Sequence, residues 1–237
     1  MQIFGVIKRA LKDITDIVCP EVCLGCGERF SADSEHLICT SCLMNLTKTD
    51  FYKNDINPIT QEFAIFQHSI DYGCCYLQFK KNDITQSLLH NIKYYNHPEL
   101  GYKLGRMAAL ELKKYHRFEK VDYILPVPMH PAKQKKRGFN QAERIAAGMS
   151  SVLDIPIRED ILHKTVNSVS QTFMDKEMRY QNAMKIFSAT RADDKANSHF
   201  LIVDDVFTTG STLMICLHKL KEAMPECTAS IFALAHA

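Results

Sequence analysis

An acidic pair followed by a hydroxyl-rich turn has the clearest chemical character in this sequence. Asp204 and Asp205 follow the apolar residues 200–203, and the run "TTGST" at residues 208–212 precedes a helix-like pattern. Backbone N–H groups at such a turn, together with a helix N-terminus, bind a phosphate, and Gly210 permits the turn. Two carboxylates beside it can accept hydrogen bonds from a vicinal diol or help to hold Mg²⁺. A diol and a phosphate together describe a ribose 5-phosphate.

This turn differs from the loop that binds nucleoside triphosphates. No lysine follows Gly210, whereas that loop requires Gly-Lys-Ser/Thr. The expected site for a single terminal phosphate therefore consists of Thr208, Thr209, Gly210, Ser211 and Thr212. The alternative is structural, with two strand-end aspartates and a Ser211 or Thr212 hydroxyl that caps the next helix. The whole run in a strand–turn–helix context favours the ligand site.

A second segment supplies clustered positive charge. Lys133, Lys135, Lys136 and Arg137 follow the apolar stretch "VDYILPVP", and Gly138 permits a bend before the next helix. Phosphoryl chemistry is mostly positioning and charge neutralisation, by Mg²⁺ and by lysine or arginine. The alternative is a basic loop that simply faces solvent. Together with the acidic pair, the basic segment favours an anionic ligand.

The run "LIVDDVFTTGST" resembles the phosphoribosyl pyrophosphate (PRPP) motif of type I phosphoribosyltransferases. This resemblance implies an α/β fold with a mainly parallel sheet flanked by helices. It implies that Asp204 and Asp205, as the catalytic pair, meet the ribose hydroxyls, and that residues 208–212 bind the 5-phosphate. The expected activity is pentosyl transfer from PRPP with Mg²⁺, to an acceptor that the sequence does not reveal.

The run "LPVPMHPAKQKKRGFNQAE" (residues 125–143) resembles the competence protein F (ComF) subgroup more narrowly. Residues 92–105 and 164–187 fit the same pattern. The sequence departs from it at Lys164, where arginine is usual, and at Ala183, where valine is commoner. Neither departure removes a charge that the site needs.

The resemblance also assigns residues to the leaving group. The residues near Pro128 would carry the pyrophosphate loop, and we expect binding from Pro128, Lys133, Lys136 and Arg137. Lys93 could reach the ligand, although a lysine that extends along the surface to water is the simpler interpretation.

The ComF resemblance further implies a role in natural transformation, where the protein would handle incoming single-stranded DNA beside a helicase. The basic segment, with Phe139 next to it, could contact a nucleic-acid backbone and stack on a base. Two classes of function therefore stay open. One is a PRPP-dependent transferase, and the other is an accessory protein that binds single-stranded DNA or a helicase partner, or senses PRPP without turnover.

Four cysteines are spaced as a paired metal-binding knuckle. Cys23 and Cys26 are separated by two residues, as are Cys39 and Cys42, with twelve residues between the pairs. Two such turns direct four thiolates at one ion and leave no open position, so the metal would be structural. Zinc is expected, with an iron–sulfur cluster as the alternative. Cys19 could compete as a ligand, but we interpret it as a free or packed thiol.

Composition limits the possible classes of protein. The chain has 237 residues and a formal net charge of +2, so global charge gives no argument for nucleic acid. No window approaches the roughly 18 uninterrupted apolar residues of a membrane span. Charged residues interrupt the apolar pattern of residues 1–18, which predicts an amphipathic helix rather than a signal peptide. We therefore expect a cytoplasmic protein whose thiols are reduced.

The order of elements predicts how these residues are positioned. Strands alternate with helices from about residue 121 onward, which indicates a mainly parallel sheet. In such sheets, ligands bind beyond the carboxyl ends of the strands, where the acidic pair would lie. Residues 63–80 are predicted as two short strands, and residues 171–187 as helical in their first part. Residues 121–130 are predicted as a short strand that Pro126 and Pro128 end, and "IREDILHKT" (residues 157–165) as a further strand. The predicted domains are a cysteine-containing element at 1–60 and a phosphoribosyltransferase-like domain at 61–237.

Overall fold

The computed structural model describes residues 22–29, 37–65, 69–165, 185–191 and 197–237. The predicted N-terminal helix, Cys19, Ala183 and nearly all of the helix predicted over 171–187 lie outside these residues. Within the described ranges, no helix is both long and apolar enough to cross a membrane.

The strands form two sheets, and the larger is parallel throughout. Its four strands lie in the order β1, β6, β5, β2. β3 and β4 form a separate antiparallel pair. The bounds are β1 Gly73–Gln78, β2 Tyr123–Pro126, β3 Leu162–Lys164, β4 Phe187–Ala189, β5 His199–Phe207 and β6 Thr228–His236.

Seven described α-helices surround or extend this sheet. Each of the longer ones begins at a residue that suits a helix start, such as Asp83 and Asn140, whose side chains accept hydrogen bonds from backbone N–H groups of the first turn. The bounds are α1 Thr40–Met44, α2 Pro58–Ile65, α3 Ile84–Tyr94, α4 Pro98–Lys113, α5 Pro131–Arg137, α6 Gln141–Leu153 and α7 Ser211–Ala223, with a 3₁₀ turn at Phe51–Lys53.

Apolar residues cover both faces of the parallel sheet. Successive residues of β5 point to opposite faces, so Leu201 lies in one buried cluster and Ile202 in the other. The first cluster contains residues of α3, α4 and α6, and the second contains residues of α7. Burial on both faces explains why residues 200–203 ("FLIV") are apolar without alternation.

Helices α4 and α6 pack with almost no space between their backbones. A methyl group at Gly105 would lie 2.2 Å from the carbonyl oxygen of Ile145, and one at Gly148 would lie 2.0 Å from that of Tyr102. Only glycine permits this approach. The pair therefore fixes α4, and with it the chain that leads in from α3, against the sheet.

The segment before β1 is attached to the edge of the parallel sheet. The Thr49 N–H donates to the Tyr76 carbonyl (3.0 Å), and the Gln78 N–H donates to the Thr47 carbonyl (2.9 Å). The Asn91 side chain on α3 donates to the Leu24 carbonyl (2.9 Å). The segment thus shares a core with the sheet, and the division at residues 60 and 61 stays a prediction.

Several element predictions need correction. Residues 63–65 end helix α2 rather than forming a strand, and the strand predicted for "IREDILHKT" is confined to β3. Pro126 lies within β2 instead of stopping it. This is possible because β2 is an edge strand of the parallel sheet, and the backbone N–H and C=O groups of its even-numbered residues point away from β5. The Ile124 N–H, for example, donates to the Pro156 carbonyl, and the Ile124 carbonyl accepts from the Arg158 N–H.

Candidate functional site

The two aspartates lie where β5 extends beyond its neighbour β2. β2 ends at Pro126, opposite Val203, while β5 remains paired with β6 from Asp204 to Phe207. The strand therefore continues through the acidic pair instead of ending before it. The Asp205 N–H donates to the Asp204 carboxylate (2.8 Å). Both carboxylates are partly buried at the carboxyl edge of the sheet, as the sequence predicted.

Lys93, in the last turn of α3, forms an ion pair with Asp205. Its Nζ lies 3.0 Å from Asp205 Oδ2, and the two side chains are 28% and 15% exposed. The interpretation of Lys93 as a lysine that simply extends to water is therefore wrong.

Asp204 is held in an environment that opposes its ionisation. Burial raises its pKa, and the neighbouring Asp205 raises it further. The Asp205 N–H and the charges of Lys93 and Lys164 act in the opposite direction, and the resulting pKa is about 7. Burial and the neighbouring carboxylate thus outweigh the compensation that the two lysines and the Asp205 N–H provide.

Lys164 in β3 is a further cation near this pair. Its Nζ lies 4.8 Å from the centre of the Phe187 ring on β4. Burial lowers the pKa of Lys164, and nearby Lys133 lowers it further, while Cys216 and Asp204 act in the opposite direction. Lys164 is therefore close enough to both Asp204 and Lys133 for their charges to act on it.

The turn after β5 leaves the start of α7 without a side-chain cap. Gly210, with φ of 66°, precedes α7, and no side chain accepts a hydrogen bond from the first turn. A Cβ at Gly210 would lie 2.7 Å from the Phe207 ring. The Thr209 and Ser211 hydroxyls are 2.8 Å apart. The surrounding residues Thr208, Thr209, Ser211 and Thr212 are exposed.

The basic segment is a short helix rather than a loop. His130 caps α5 by accepting a hydrogen bond from the Ala132 N–H (3.2 Å), Pro131 occupies the first turn, and Gly138 ends the helix with φ of 91°. A cavity of about 590 Å³ lies beside it. Its described lining residues are Lys93, Tyr94, Asn96, Lys133, Lys135, Lys136, Arg137 and Gly138.

The sequence-predicted residues therefore fall into two neighbouring groups. Lys133, Lys136 and Arg137 line the cavity, whereas the aspartates and the turn at 208–212 are not among its described lining residues. Pro128 also lies outside that lining, in the loop that leads from β2 to α5. Lys93 connects the two groups, because it lines the cavity and contacts Asp205.

Asn140 attaches the loop after β2 to helix α6. Its side chain donates to the Val127 carbonyl (3.0 Å) and to Glu143 (3.0 Å), and accepts from the Ala142 N–H (3.1 Å). Asn140 is buried, so these bonds are shielded from water. It fixes the position of the loop that contains Pro128.

The four predicted cysteine ligands converge. The sulfur atoms of Cys23, Cys26, Cys39 and Cys42 all lie within 4.8 Å of one another, and this group could hold a metal ion. A tetrahedral ion with metal–sulfur bonds of about 2.3 Å requires sulfurs roughly 3.8 Å apart. The Sγ atoms of Cys26 and Cys39 are 3.9 Å apart, which is close to that separation.

Backbone N–H groups support negative charge on these sulfurs. The Gly25 and Cys39 N–H groups donate to Cys23 Sγ (3.3 and 3.2 Å). Burial raises the pKa of Cys23, but the backbone donors outweigh it and the pKa falls to about 6. Burial and the other thiols raise the pKa of Cys42. Proximity of the thiols therefore opposes full ionisation without a cation.

Comparison with known families decides the broad identity of this fold. The sequence model of the phosphoribosyl transferase domain matches residues 93–237, which include the acidic pair, the turn and the basic helix. The chain belongs to the phosphoribosyl transferase domain family. The predicted fold class is thereby confirmed.

Relatives of this phosphoribosyl transferase domain protein agree with the ComF resemblance. This chain is 32% identical to Competence protein F of Haemophilus influenzae over 130 residues, which are 53% of this chain and 57% of that protein. It is 29% identical to DNA utilization protein YhgH of Escherichia coli over 129 residues, covering 53% and 56%. The chain therefore spans about half the length of these two relatives.

Two further similarities cover more of the sequences. Competence protein ComFC of Bacillus subtilis is 23% identical over 231 residues, 96% of this chain and 81% of that one. Among solved structures, adenine phosphoribosyltransferase of Saccharomyces cerevisiae has 16% identity and a TM-score of 0.39, covering 60% of this chain and 72% of that chain.

Sequence reasoning missed three residues in this phosphoribosyl transferase domain. Lys93 was given a surface position, Lys164 was noted only as a departure from a pattern, and Asn140 was quoted without a role. Each role depends on a contact with a residue distant in sequence: Asp205 for Lys93, Asp204 for Lys164 and Val127 for Asn140. Local sequence patterns do not reveal such contacts. The polar "Asn-Gln" after Gly138 was the one local signal, because a side-chain acceptor at Asn140 predicts a helix cap.

Proposed function

We propose that this chain binds PRPP and transfers its phosphoribosyl group to an acceptor. The observation that carries the proposal is the juxtaposition of Asp204 and Asp205 with the uncapped start of α7. The N–H groups of Ser211 and Thr212 would bind the phosphate, and they have no described side-chain cap. The carboxylates would bind the diol, and the ion pair of Asp205 with Lys93 can be exchanged for it.

The 5-phosphate site requires short side chains as well as free N–H groups. Thr208, Thr209, Ser211 and Thr212 can each donate a hydroxyl, while Gly210 keeps the backbone accessible to the phosphate. The α7 dipole favours an anion at this end. The turn would therefore fix the ribose while its C1 atom points toward the cavity.

The cavity would hold the pyrophosphate. An acceptor nucleophile forms a bond to C1 as the bond from C1 to the pyrophosphate oxygen breaks, and the leaving group takes the electron pair. Lys133, Lys136 and Arg137 would neutralise the departing oxygens, and Pro128 would lie in the loop beside them. The protein would contribute positioning and charge, and needs no covalent nucleophile.

Mg²⁺ is the cation that fits the acidic pair. Its preferred ligands are carboxylate and phosphate oxygens. Burial and the neighbouring Asp205 raise the pKa of Asp204, and a bound cation would reduce the repulsion between the two carboxylates. When bound, Mg²⁺ would screen the charge of the pyrophosphate. Asp204 and Asp205 would hold it directly or through water.

The four cysteines would hold a structural zinc ion within the element predicted at residues 1–60. All four positions of a tetrahedral ion would be occupied by Cys23, Cys26, Cys39 and Cys42, which leaves none for substrate. We expect about one zinc ion per chain, measured by elemental analysis of the purified protein. Iron with a visible absorption band would instead indicate the iron–sulfur alternative.

Calorimetric titration with PRPP in the presence of Mg²⁺ tests the ligand assignment. Wild type should bind, and Asp205→Ala should lose at least about tenfold in affinity because a charged acceptor of the diol is removed. Asp55→Ala is the matched control, since Asp55 also pairs with a basic residue, Arg117 (2.6 Å), outside the site. An Asp205→Ala protein that binds as tightly as wild type contradicts the proposal.

A second candidate is an accessory role in the use of single-stranded DNA, as the names of the relatives suggest. The specific observation is a pair of exposed tyrosines, Tyr94 and Tyr95, which are 64% and 65% exposed. The Arg137 guanidinium lies 5.7 Å from the Tyr94 ring. Phe139, which was predicted to stack on a base, is instead partly buried against the core. The two tyrosines would therefore stack on the bases in its place.

Salt-dependent binding distinguishes this candidate. If single-stranded DNA follows the basic helix, neutralising Lys133, Lys135, Lys136 and Arg137 should abolish binding and its salt dependence. Tyr94→Ala with Tyr95→Ala should weaken it about tenfold or more through lost stacking. Asp205→Ala should leave it intact. If the protein binds PRPP but neither turns it over nor binds DNA, the result favours a PRPP sensor. A helicase partner would require a separate binding assay.

A further inference from the structure

Lys93 belongs to both halves of the proposed site. Its Nζ contacts Asp205 Oδ2 at 3.0 Å, and the same side chain lines the cavity that the basic helix borders. It extends from the last turn of α3, so its backbone is fixed and only rotation of its side chain would be needed to move the ammonium group. A lysine carries a compact charge on a flexible four-carbon stem.

Lys164 provides an instructive contrast. It is also near the acidic pair, but it extends from the β3–β4 pair and lies against the Phe187 ring at 4.8 Å. The aromatic contact and its burial restrict that side chain. Lys93 has no described aromatic contact of this kind and is 28% exposed. Of these two lysines, Lys93 is therefore the one placed to move.

The ion pair also occupies the acceptor that the proposed ligand needs. A carboxylate that receives hydrogen bonds from a ribose diol cannot keep all of its contacts with an ammonium group. Once hydroxyl donors satisfy Asp205, the ammonium group must find another anion or return to water. The nearest described space for it is the cavity where the pyrophosphate would lie.

We infer that Lys93 is a transferable cation, which neutralises Asp205 in the empty protein and moves to the pyrophosphate when the ribose diol takes its place. The inference rests on the proposed function and adds a positioning role for one residue. It makes the two subsites cooperative, because occupation of the diol site releases a cation for the leaving group. In the empty protein, Lys93 meanwhile compensates the charge of Asp205.

The inference separates ligands that a merely structural ion pair would not separate. Replacing Lys93 by methionine removes a competitor for Asp205, so ribose 5-phosphate should bind within about twofold of wild type or more tightly. PRPP should bind about tenfold or more weakly, because it loses one charge-assisted hydrogen bond. Inorganic pyrophosphate has no diol to release Lys93 from Asp205, so it should bind within about twofold of wild type. Lys93→Arg, which keeps the charge, should recover part of the loss.

Calorimetric titrations of wild type, Lys93→Met and Lys93→Arg with the three ligands provide the test. They are made in the same Mg²⁺ buffer at about pH 8.5, so that Asp204 is ionised. Lys48→Met is the matched control. Lys48 also forms a partly buried ion pair, with Glu111 (3.3 Å, 38% and 17% exposed), and is not among the described residues that line the cavity.

Three outcomes are decisive. Selective loss of PRPP binding in Lys93→Met, with ribose 5-phosphate and pyrophosphate binding retained, supports the inference. Weakening of pyrophosphate binding to the same extent as PRPP binding, or no change in any ligand, overturns it and leaves the proposed function standing. Failure of wild type to bind either PRPP or ribose 5-phosphate overturns the proposed function, and the inference with it.

Discussion

The cysteine cluster and the acidic pair solve the same electrostatic problem in different ways. Each brings like-charged groups together at a partly buried position, the four sulfurs within 4.8 Å and two adjacent carboxylates on one strand. At the cysteines, N–H groups of the same segment donate to sulfur. At the aspartates, compensation comes from lysines on distant elements. The first arrangement suits a permanent ion, and the second suits an exchangeable ligand.

The largest expected effect comes from removing a cysteine. Cys42→Ser should lose the metal and unfold the surrounding segment, because structural zinc supplies on the order of 10 kcal/mol in short peptides. Limited proteolysis within residues 22–60 and metal analysis would measure this. Cys227→Ser is the control, since Cys227 is buried outside the cluster. Equal protease resistance of both variants would show that the cluster does not depend on a permanent ion.

The next effect concerns the two turns at these sites. Gly210→Ala should cost about 2 kcal/mol of unfolding free energy, because the positive φ disfavours a side chain and the added methyl would meet the Phe207 ring at 2.7 Å. Gly27 also has a positive φ (77°) but open space around it, so Gly27→Ala should cost only about 1 kcal/mol. Denaturant unfolding compares them. Equal losses would show that backbone conformation alone sets the cost.

The pH dependence of stability tests the uncompensated charge on Asp204. Folding raises its pKa to about 7, so the folded state binds more protons than the unfolded state between the ordinary aspartate pKa and that value. Its contribution to stability is therefore present at low pH and lost as pH rises through this window. Asp204→Asn should be more stable than wild type at about pH 8, on the order of 2 kcal/mol.

Unfolding curves at several pH values would check this. The difference between wild type and Asp204→Asn should shrink toward about pH 4, where Asp204 is mostly neutral in both states. A difference that is constant with pH would mean that the lysines fully compensate the pair. The contrast with the cysteine cluster would then disappear.

The smallest effect is expected at the basic helix. Lys136 is exposed, so Lys136→Ala should leave the melting temperature unchanged and weaken PRPP binding several-fold, about 1 kcal/mol. Lys120→Ala is a comparable lysine variant away from the basic helix. Thermal shift and calorimetry together separate the two readouts. A drop in stability equal to the drop in binding energy would assign Lys136 a structural role.

Local patterns predicted most of the elements around the site. The apolar run, acidic pair, turn and amphipathic stretch of residues 199–223 correspond to β5 and α7, because each signal lies within a few residues of the next. The basic segment was predicted as a loop, since its polar side chains bury no face and show no helical period. Its helix is specified by end signals instead, namely His130, Pro131 and Gly138.

Contacts between distant segments were not predictable in this way. The pairing of Lys93 with Asp205 depends on α3 ending beside β5, which follows from the strand order β1, β6, β5, β2. No local feature specifies that order. The convergence of the cysteines was predictable despite the intervening residues, because a metal knuckle imposes its own spacing.

The prolines at the end of β2 have a consequence for association between copies of the chain. Pro126 is the last residue of β2, on the side that faces away from β5, where Ile124 bonds to the Pro156 carbonyl, and Pro128 follows in the loop. Neither proline has an N–H to offer a passing strand, so the outer border of the sheet lacks donors near its carboxyl end. Edge-to-edge aggregation is therefore disfavoured at this border of the sheet.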